Sequence, residues 1–406
     1  MMKAETAKRR GLRRTHGAWP AAFLFNLTVL QIFGLVMLFS ASYAYAYRTS
    51  GSSYVYILGQ LRATLVGEIA LLLAARYDYH WLRRWTGWGY AGCIALLLVV
   101  LTCAPINNCR RWLHWDSGPL KVIPSIQVSE LVKFEMILLT AAIMCYYRDK
   151  KNTFRYGILY PLLPLVPIAG LMVAEPHVSG MILICVIVGT MMLLGCSGGK
   201  WMPCLLALGG VGILLLYKVI GPHIDYVEKR LERWTQDFDK MTYQTQQSLL
   251  AIGSGGLLGT GLGNSMEKQL WLPYCMNDFI FSIVCEELGF IGAMMVVLLF
   301  ALLIAQGVYI AFHAPDLYGT LLALGITAQV AWQVFCNIAV VTNALPNTGI
   351  SLPFFSDGGS SLMMLLGEMG VLVSIARCGA EKAAAAEKSG TDVPVQSGAA
   401  RPNAAV

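Results

Sequence analysis

The sequence predicts an all-α integral membrane protein of about ten transmembrane helices with both termini in the cytoplasm. Three observations predict it. Of the 406 residues, 56% are hydrophobic and only 13% are charged, against about a quarter charged in a soluble domain. The charge is segregated, leaving apolar runs near 20 residues, the length that crosses a hydrocarbon core of ~30 Å as a helix. Lys and Arg fall in alternate links. The N-terminal tail (Lys8, Arg9, Arg10, Arg13, Arg14), Arg76/Arg83/Arg84, Arg148/Lys150/Lys151/Arg155, Lys200 and the final Arg377, Lys382 and Lys388 mark one side. By the positive-inside rule that side is the cytoplasm.

Each element follows in order. Apolar windows place spans near 19–43, 56–76, 86–106, 128–147, 156–174, 178–196, 201–220, 279–306, 317–341 and 350–376. The basic start, the apolar run and Ala44-Tyr45-Ala46 imitate a secretory signal, but the run exceeds the usual signal core of about 7–15 residues, so an uncleaved first helix is expected. A basic cytoplasmic tail, 1–18, precedes a membrane domain over 19–378. An Ala/Gly/Ser/Pro-biased tail, 379–406, is expected to be disordered. The longest outer link, 221–278, joins the seventh and eighth spans, and the outer link 107–127 holds Arg110, Arg111, Trp112, His114 and Trp115. The net charge of +7 suits anionic headgroups rather than nucleic acid. The 11 cysteines lack metal or redox spacing; Cys109 and Cys275, both in outer links, leave a disulfide open.

Charge at the membrane is the informative feature, because it normally faces a partner or a cavity. Glu130 and Lys133 share a face of the fourth span at i and i+3, as a self-neutralising pair or as the lining of an outward polar cavity. Asp278 stands where the long outer link meets the eighth span, with Glu286 and Glu287 two turns deeper. There a carboxylate could deprotonate a hydroxyl, bind a metal or cap a helix. Gly253 to Gly263 superficially resembles a dinucleotide fingerprint. With no preceding strand, close packing or a re-entrant segment is expected instead. Ser356-Asp357-Gly358-Gly359-Ser360-Ser361 after Pro353 reads as an irregular helix start that caps the helix or holds an anion. Protease and nucleotide-hydrolase motifs are absent.

Five stretches in order resemble the SEDS family, the FtsW/RodA/SpoVE proteins of bacterial division, elongation and sporulation, and the last leans to the FtsW/SpoVE side. They are Gly34 to Ser42; Arg110-Arg111-Trp112 with Gln127 to Lys133; Tyr243-Gln244, Gln247-Ser248 and Gly253 to Ser265; Leu272-Pro273, Asp278-Phe279-Ile280-Phe281 and Glu286 to Gly289; and Leu352 to Ser356 with Gly358 to Leu362. The resemblance implies a peptidoglycan glycosyltransferase that polymerises lipid II at the outer face of the bacterial cytoplasmic membrane and releases undecaprenyl diphosphate. Asp278 matches the family's catalytic aspartate, a general base. Lys133, Arg110, Arg111 or a divalent cation (Mg or Mn) would meet the diphosphate, with Glu130, Ser129, Gln244, Glu286, Ser360 and Ser361 around the cavity. Lys133 and Asp278 are expected to face one cavity. Implied partners are a class B penicillin-binding protein and other divisome or elongasome membrane proteins. A lipid II flippase, or a scaffold for penicillin-binding proteins, are the alternatives. The sequence departs from the family at Met276-Asn277, Val128, Asp357 and His177.

Overall fold

Backbone groups in hydrocarbon have no water to bond, so each apolar run closes its hydrogen bonds within a helix. The computed structural model describes residues 2–103, 112–113, 126–175, 177–195, 234 and 236–389, and of 2–19, 240 and 387–389 only the backbone. Ten helical segments carry it: α1 (Met2–Ser50), α2 (Val55–Arg76), α3 (His80–Thr102), α4 (Val128–Tyr146), α5 (Arg155–Ala174), α6 (Val178–Gly195), α7 (Tyr243–Gly255), α8 (Ile280–Phe312), α9 (Leu317–Val341) and α10 (Gly359–Ser389). Among the described residues eight helices are long and apolar enough to cross a membrane, α1 over Pro20–Ser50 and α10 over Gly359–Ala386. α4 is not among these eight. Its 19 residues reach about 28 Å, and its charges Glu130, Lys133 and Glu135 are buried. The expected span 201–220, Arg110, Arg111, His114 and Cys109 lie outside the described residues.

Several boundaries move. The first helix runs on through Ala44-Tyr45-Ala46 to Ser50 and the third starts at His80 rather than 86. The expected tenth span from 350 begins only at Gly359, because 342–358 is a loop. At the other end α10 continues to Ser389. The Ala-rich run Ala383–Ala386 favours a helix there. Pro161 and Pro164 interrupt α5, which opens with a π turn over Arg155–Leu159. A two-residue ribbon, β1 (Trp112–Leu113) against β2 (Ile126–Gln127), is antiparallel with Trp112 opposite Gln127.

The bundle is arranged around α9, which buries 67% of its apolar window, whereas α2 and α3 bury 22% each. Leu58, Leu61, Leu65, Ile69 and Leu72 of α2 point outward, which suits lipid rather than water. The α2 face that is covered packs on α10, where a Cβ on Gly370 would stand 2.4 Å from the Leu71 carbonyl oxygen.

The two ends differ in charge. One gathers Arg76, Arg83, Arg84, Arg148, Lys150, Lys151, Arg155, Arg377 and Lys382. There Asp316 caps α9 through the Gly319 N–H at 2.8 Å, and it also bonds Tyr79 and His80. Burial opposes its ionisation, but the bonds from Tyr79, Gly319 and His80 outweigh it and hold the carboxyl below the ordinary range. The opposite end holds the starts of α4, α8 and α10 and the loop 342–358.

Candidate active site at the end opposite the basic links

At that end α8 starts with Phe279 as its N-cap residue, not Asp278. Asp278 lies just outside the helix and is partly exposed. Its backbone carbonyl accepts the Asn337 side-chain amide at 2.8 Å, and the same amide reaches the Ile350 carbonyl at 2.8 Å. Asn337, fully buried on α9, thus pins the α8 entry to the 342–358 loop. Gly349 has φ +69°, and a Cβ there would stand 3.2 Å from Asp278 Oδ2. Glycine at 349 therefore meets two needs, the left-handed backbone and room beside the carboxylate. Gly349 N–H donates to Asn347 at 3.2 Å, and Asn347 donates to Gln244 on α7 at 3.2 Å. Two hydrogen bonds thereby connect Gln244 to Gly349, the residue beside the Asp278 carboxylate.

The segment before α10 joins this entry to α4. Asp357 N–H donates to the Met276 carbonyl at 2.9 Å, and Ser356 Oγ donates to the Asn277 carbonyl at 2.5 Å. Gln60 of α2 donates to the Ser356 carbonyl at 3.1 Å. Two of the departures from the family pattern, Met276-Asn277 and Asp357, therefore touch each other. Burial pushes the Asp357 carboxyl up to about 6. Three residues on, Ser360 Oγ accepts the Gln127 N–H at 3.2 Å and Ser361 Oγ donates to Glu130 Oε2 at 3.0 Å. Lys133 Nζ pairs with the same oxygen at 2.8 Å. Ser129 accepts the Gln127 amide at 3.0 Å. The i, i+3 pair read from the sequence thus forms, with a serine from α10 added.

Glu286 lies deeper in α8. It is buried and turned to the 256–268 loop, accepting Ser265 Oγ at 2.5 Å and the Met266 N–H at 2.7 Å. Its neighbour Glu287 accepts Ser40 Oγ at 2.8 and 2.7 Å and forms an ion pair with Lys268. Both residues sit beside a break in α8 at Gly289, φ +66°. A broken helix at membrane depth frees backbone groups that must be bonded, and the glycine stretch supplies them. Thr260 and Gly261 N–H donate to the Glu286 and Glu287 carbonyls at 2.9 and 3.0 Å, while Phe290 and Ile291 N–H donate to the Gly256 and Leu257 carbonyls at 2.9 and 3.2 Å. A Cβ on Gly259 would lie 2.1 Å from the Glu287 carbonyl oxygen. Close backbone approach is therefore what the glycine stretch is for.

Sequence reasoning passed over Lys268, Ser40, Asn337, Gln60 and Glu368. A polar residue inside an apolar run was a usable signal for Gln60, Asn337 and Glu368; Lys268, in a polar loop, offered none. Cys275 is buried, with its Sγ donating to the Ala41 carbonyl at 3.4 Å; its suggested partner Cys109 is not described. Among the described residues no three His, Cys, Asp or Glu side chains gather to hold a metal ion.

Fold and site together define a multi-pass helical membrane protein with a half-open aspartate and a buried lysine–glutamate pair at the end opposite its basic links. The chain belongs to the FtsW/RodA/SpoVE family, described as cell cycle proteins, whose family model matches residues 21–380. It is 36% identical to stage V sporulation protein E of Bacillus subtilis (strain 168) over 367 residues, 88% of this chain and 97% of that protein. It is 34% identical to the probable peptidoglycan glycosyltransferase FtsW of the same organism over 378 residues, 90% of this chain and 92% of that one. These relatives stand on the FtsW/SpoVE side of the family. The crystal structure of Thermus thermophilus rod shape determining protein RodA is similar at TM-score 0.63 and 26% identity, covering 88% of this chain and 96% of that one. A chain of a peptidoglycan synthase complex that coordinates polymerization and crosslinking shares the fold at TM-score 0.70 and 24% identity, covering 88% and 97%.

Proposed function

We propose that this protein is a peptidoglycan glycosyltransferase that joins lipid II units at the outer membrane face, with Asp278 as general base. The observation that carries the proposal is the setting of Asp278, partly exposed at the bundle end away from the basic links. Its backbone is fixed by Asn337, and Gly349 leaves space beside its carboxylate. In this reading Asp278 takes the proton of the acceptor sugar's 4-hydroxyl as that oxygen attacks the donor's anomeric carbon. The configuration inverts and undecaprenyl diphosphate leaves. A general base must reach that proton directly or through one water, which a half-open carboxylate can do. Lys133, with Arg110 and Arg111, balances the charge that develops on the diphosphate, and a divalent cation brought by the diphosphate would serve the same end. The 356–361 segment bonds to 276–277 on one side and to 127–130 on the other, which supports the reading that Lys133 and Asp278 serve one cavity. The polymer passes to a class B penicillin-binding protein, with other divisome or elongasome proteins as neighbours.

The test uses purified protein in lipid nanodiscs or vesicles with labelled lipid II, with and without a cognate transpeptidase. Glycan polymer is expected from the wild type and not from Asp278→Ala. Movement of lipid II across the bilayer without polymer would favour a flippase, and neither activity would favour a scaffold.

A further inference from the structure

Below the Lys133–Glu130 pair, where α4, α9 and α10 converge, the bundle buries a second carboxylate. Glu368 on α10 is 1% exposed. Its Oε2 accepts the side-chain amide of Gln329 on α9 at 2.7 Å. Its Oε1 has no hydrogen-bond partner, and the amide oxygen of the same Gln329 is likewise buried without one. Both orphans are acceptors, and they belong to the two ends of one side-chain pair. An unmatched buried acceptor costs its full desolvation, and two on one pair call for a donor. A single proton on Glu368 supplies it. A carboxylic acid and a primary amide then exchange two hydrogen bonds, N–H to acid oxygen and acid O–H to amide oxygen, and both orphans are satisfied together.

Charge counting agrees. The titratable groups that act on Glu368 are Lys133 and Glu130 from α4, and α9 contributes the neutral Gln329. Among the described residues the other helices against α10, namely α1, α2 and α8, add none. With both carboxylates ionised, this buried cluster would carry one cation and two anions. One proton makes it neutral, which is the cheaper state at membrane depth.

We propose that Glu368 is a positioning residue that carries a proton in the resting protein and thereby leaves the Lys133 charge available to an anionic phosphate-bearing ligand. Ionising Glu368 places a second negative charge beside Lys133 and weakens that ligand's hold. The second half rests on the reading that lipid II diphosphate is met at Lys133; the first half does not. The proton comes from and returns to solvent, so no bond other than O–H changes.

Infrared difference spectra of the full chain in nanodiscs test the first half. At neutral pH the wild type minus Glu368→Gln spectrum should show the carbonyl stretch of a protonated carboxyl, fading on alkaline titration. In Gln329→Leu, which removes the amide, that band should shift in frequency; this second variant keeps the test open if Glu368→Gln does not fold. Superimposable wild-type and Glu368→Gln spectra, or a band indifferent to Gln329, overturn the assignment. For the second half, the KM for lipid II should rise about tenfold from neutral to alkaline pH in wild type, equivalent to one pKa unit of coupling. It should stay flat in Glu368→Gln, with kcat following the same profile in both. Equal KM profiles in the two proteins overturn this half. Polymer formation by Asp278→Ala would instead sink the general-base reading and leave the infrared result standing.

Discussion

Two buried lysine–glutamate pairs lie toward the same end of this bundle, and they do different work. Lys268–Glu287 is sealed. Both members are fully buried, Ser40 bonds Glu287 and accepts from Lys268 at 3.1 Å, and the Tyr43 ring covers the ammonium at 4.9 Å from its centroid. It staples the glycine-rich loop onto the broken α8. Lys133–Glu130 is built from the same residue types, yet it adjoins the serines of α10, and a second carboxylate, Glu368, lies beneath it. The comparison teaches that a buried ion pair is not a site by virtue of being buried. A completed hydrogen-bond shell marks the staple, whereas surplus charge and an adjoining polar segment mark the pair proposed to meet a ligand.

The comparison can be broken at its open side first. Asp278→Ala should lower lipid II polymerisation by about 10²–10⁴-fold, the usual worth of a positioned general base, while thermal unfolding in micelles changes little. An equal loss of folding would make Asp278 a structural residue. On the sealed side, Lys268→Met strands Glu287 in the bundle and should destabilise by about 3–5 kcal/mol. The double variant Lys268→Met/Glu287→Leu should recover much of that loss, and an absence of recovery would show that the pair is not the staple.

Asp357 offers a smaller test, by pH. Its folded carboxyl titrates near 6 against an ordinary 3.8, so between those values the folded state binds more protons than the unfolded one. Stability should therefore fall as pH rises through that window and stay reduced above it. Asp357→Asn should remove the fall and add about 1–2 kcal/mol at neutral pH, read from unfolding midpoints at acid and neutral pH. An unchanged slope would place the carboxylate in solvent. Smallest is Thr242→Ala. Thr242 caps α7 by accepting the Thr245 N–H at 3.4 Å, and its loss should cost about 1 kcal/mol without touching the Lys268 staple.

The crossings were legible because hydrophobic length is a local property. Each run from Pro20 onward could be read within about 20 residues, and the alternation of Lys and Arg gave the sidedness without reference to any contact. Asp278, Glu130 and Lys133 were legible as charges in apolar surroundings. The starts of α3 and α10 were misplaced because a helix end depends on what bonds its last groups: residues 350–358 look apolar enough to span, but Ser356 and Asp357 are tied to 276–277 instead.

By itself, then, the sequence determined a polytopic helical bundle, its sidedness and a short roster of charged candidates, all set by composition within single segments. Only the tertiary structure decided which carboxylate stands open and which are sealed. Glu286 and Glu287 differ from Asp278 through partners at Ser265, Lys268 and Ser40, and Glu368 meets Gln329 across 39 residues. A side chain's charge state and access are properties of what surrounds it, and in a bundle those surroundings come from other helices.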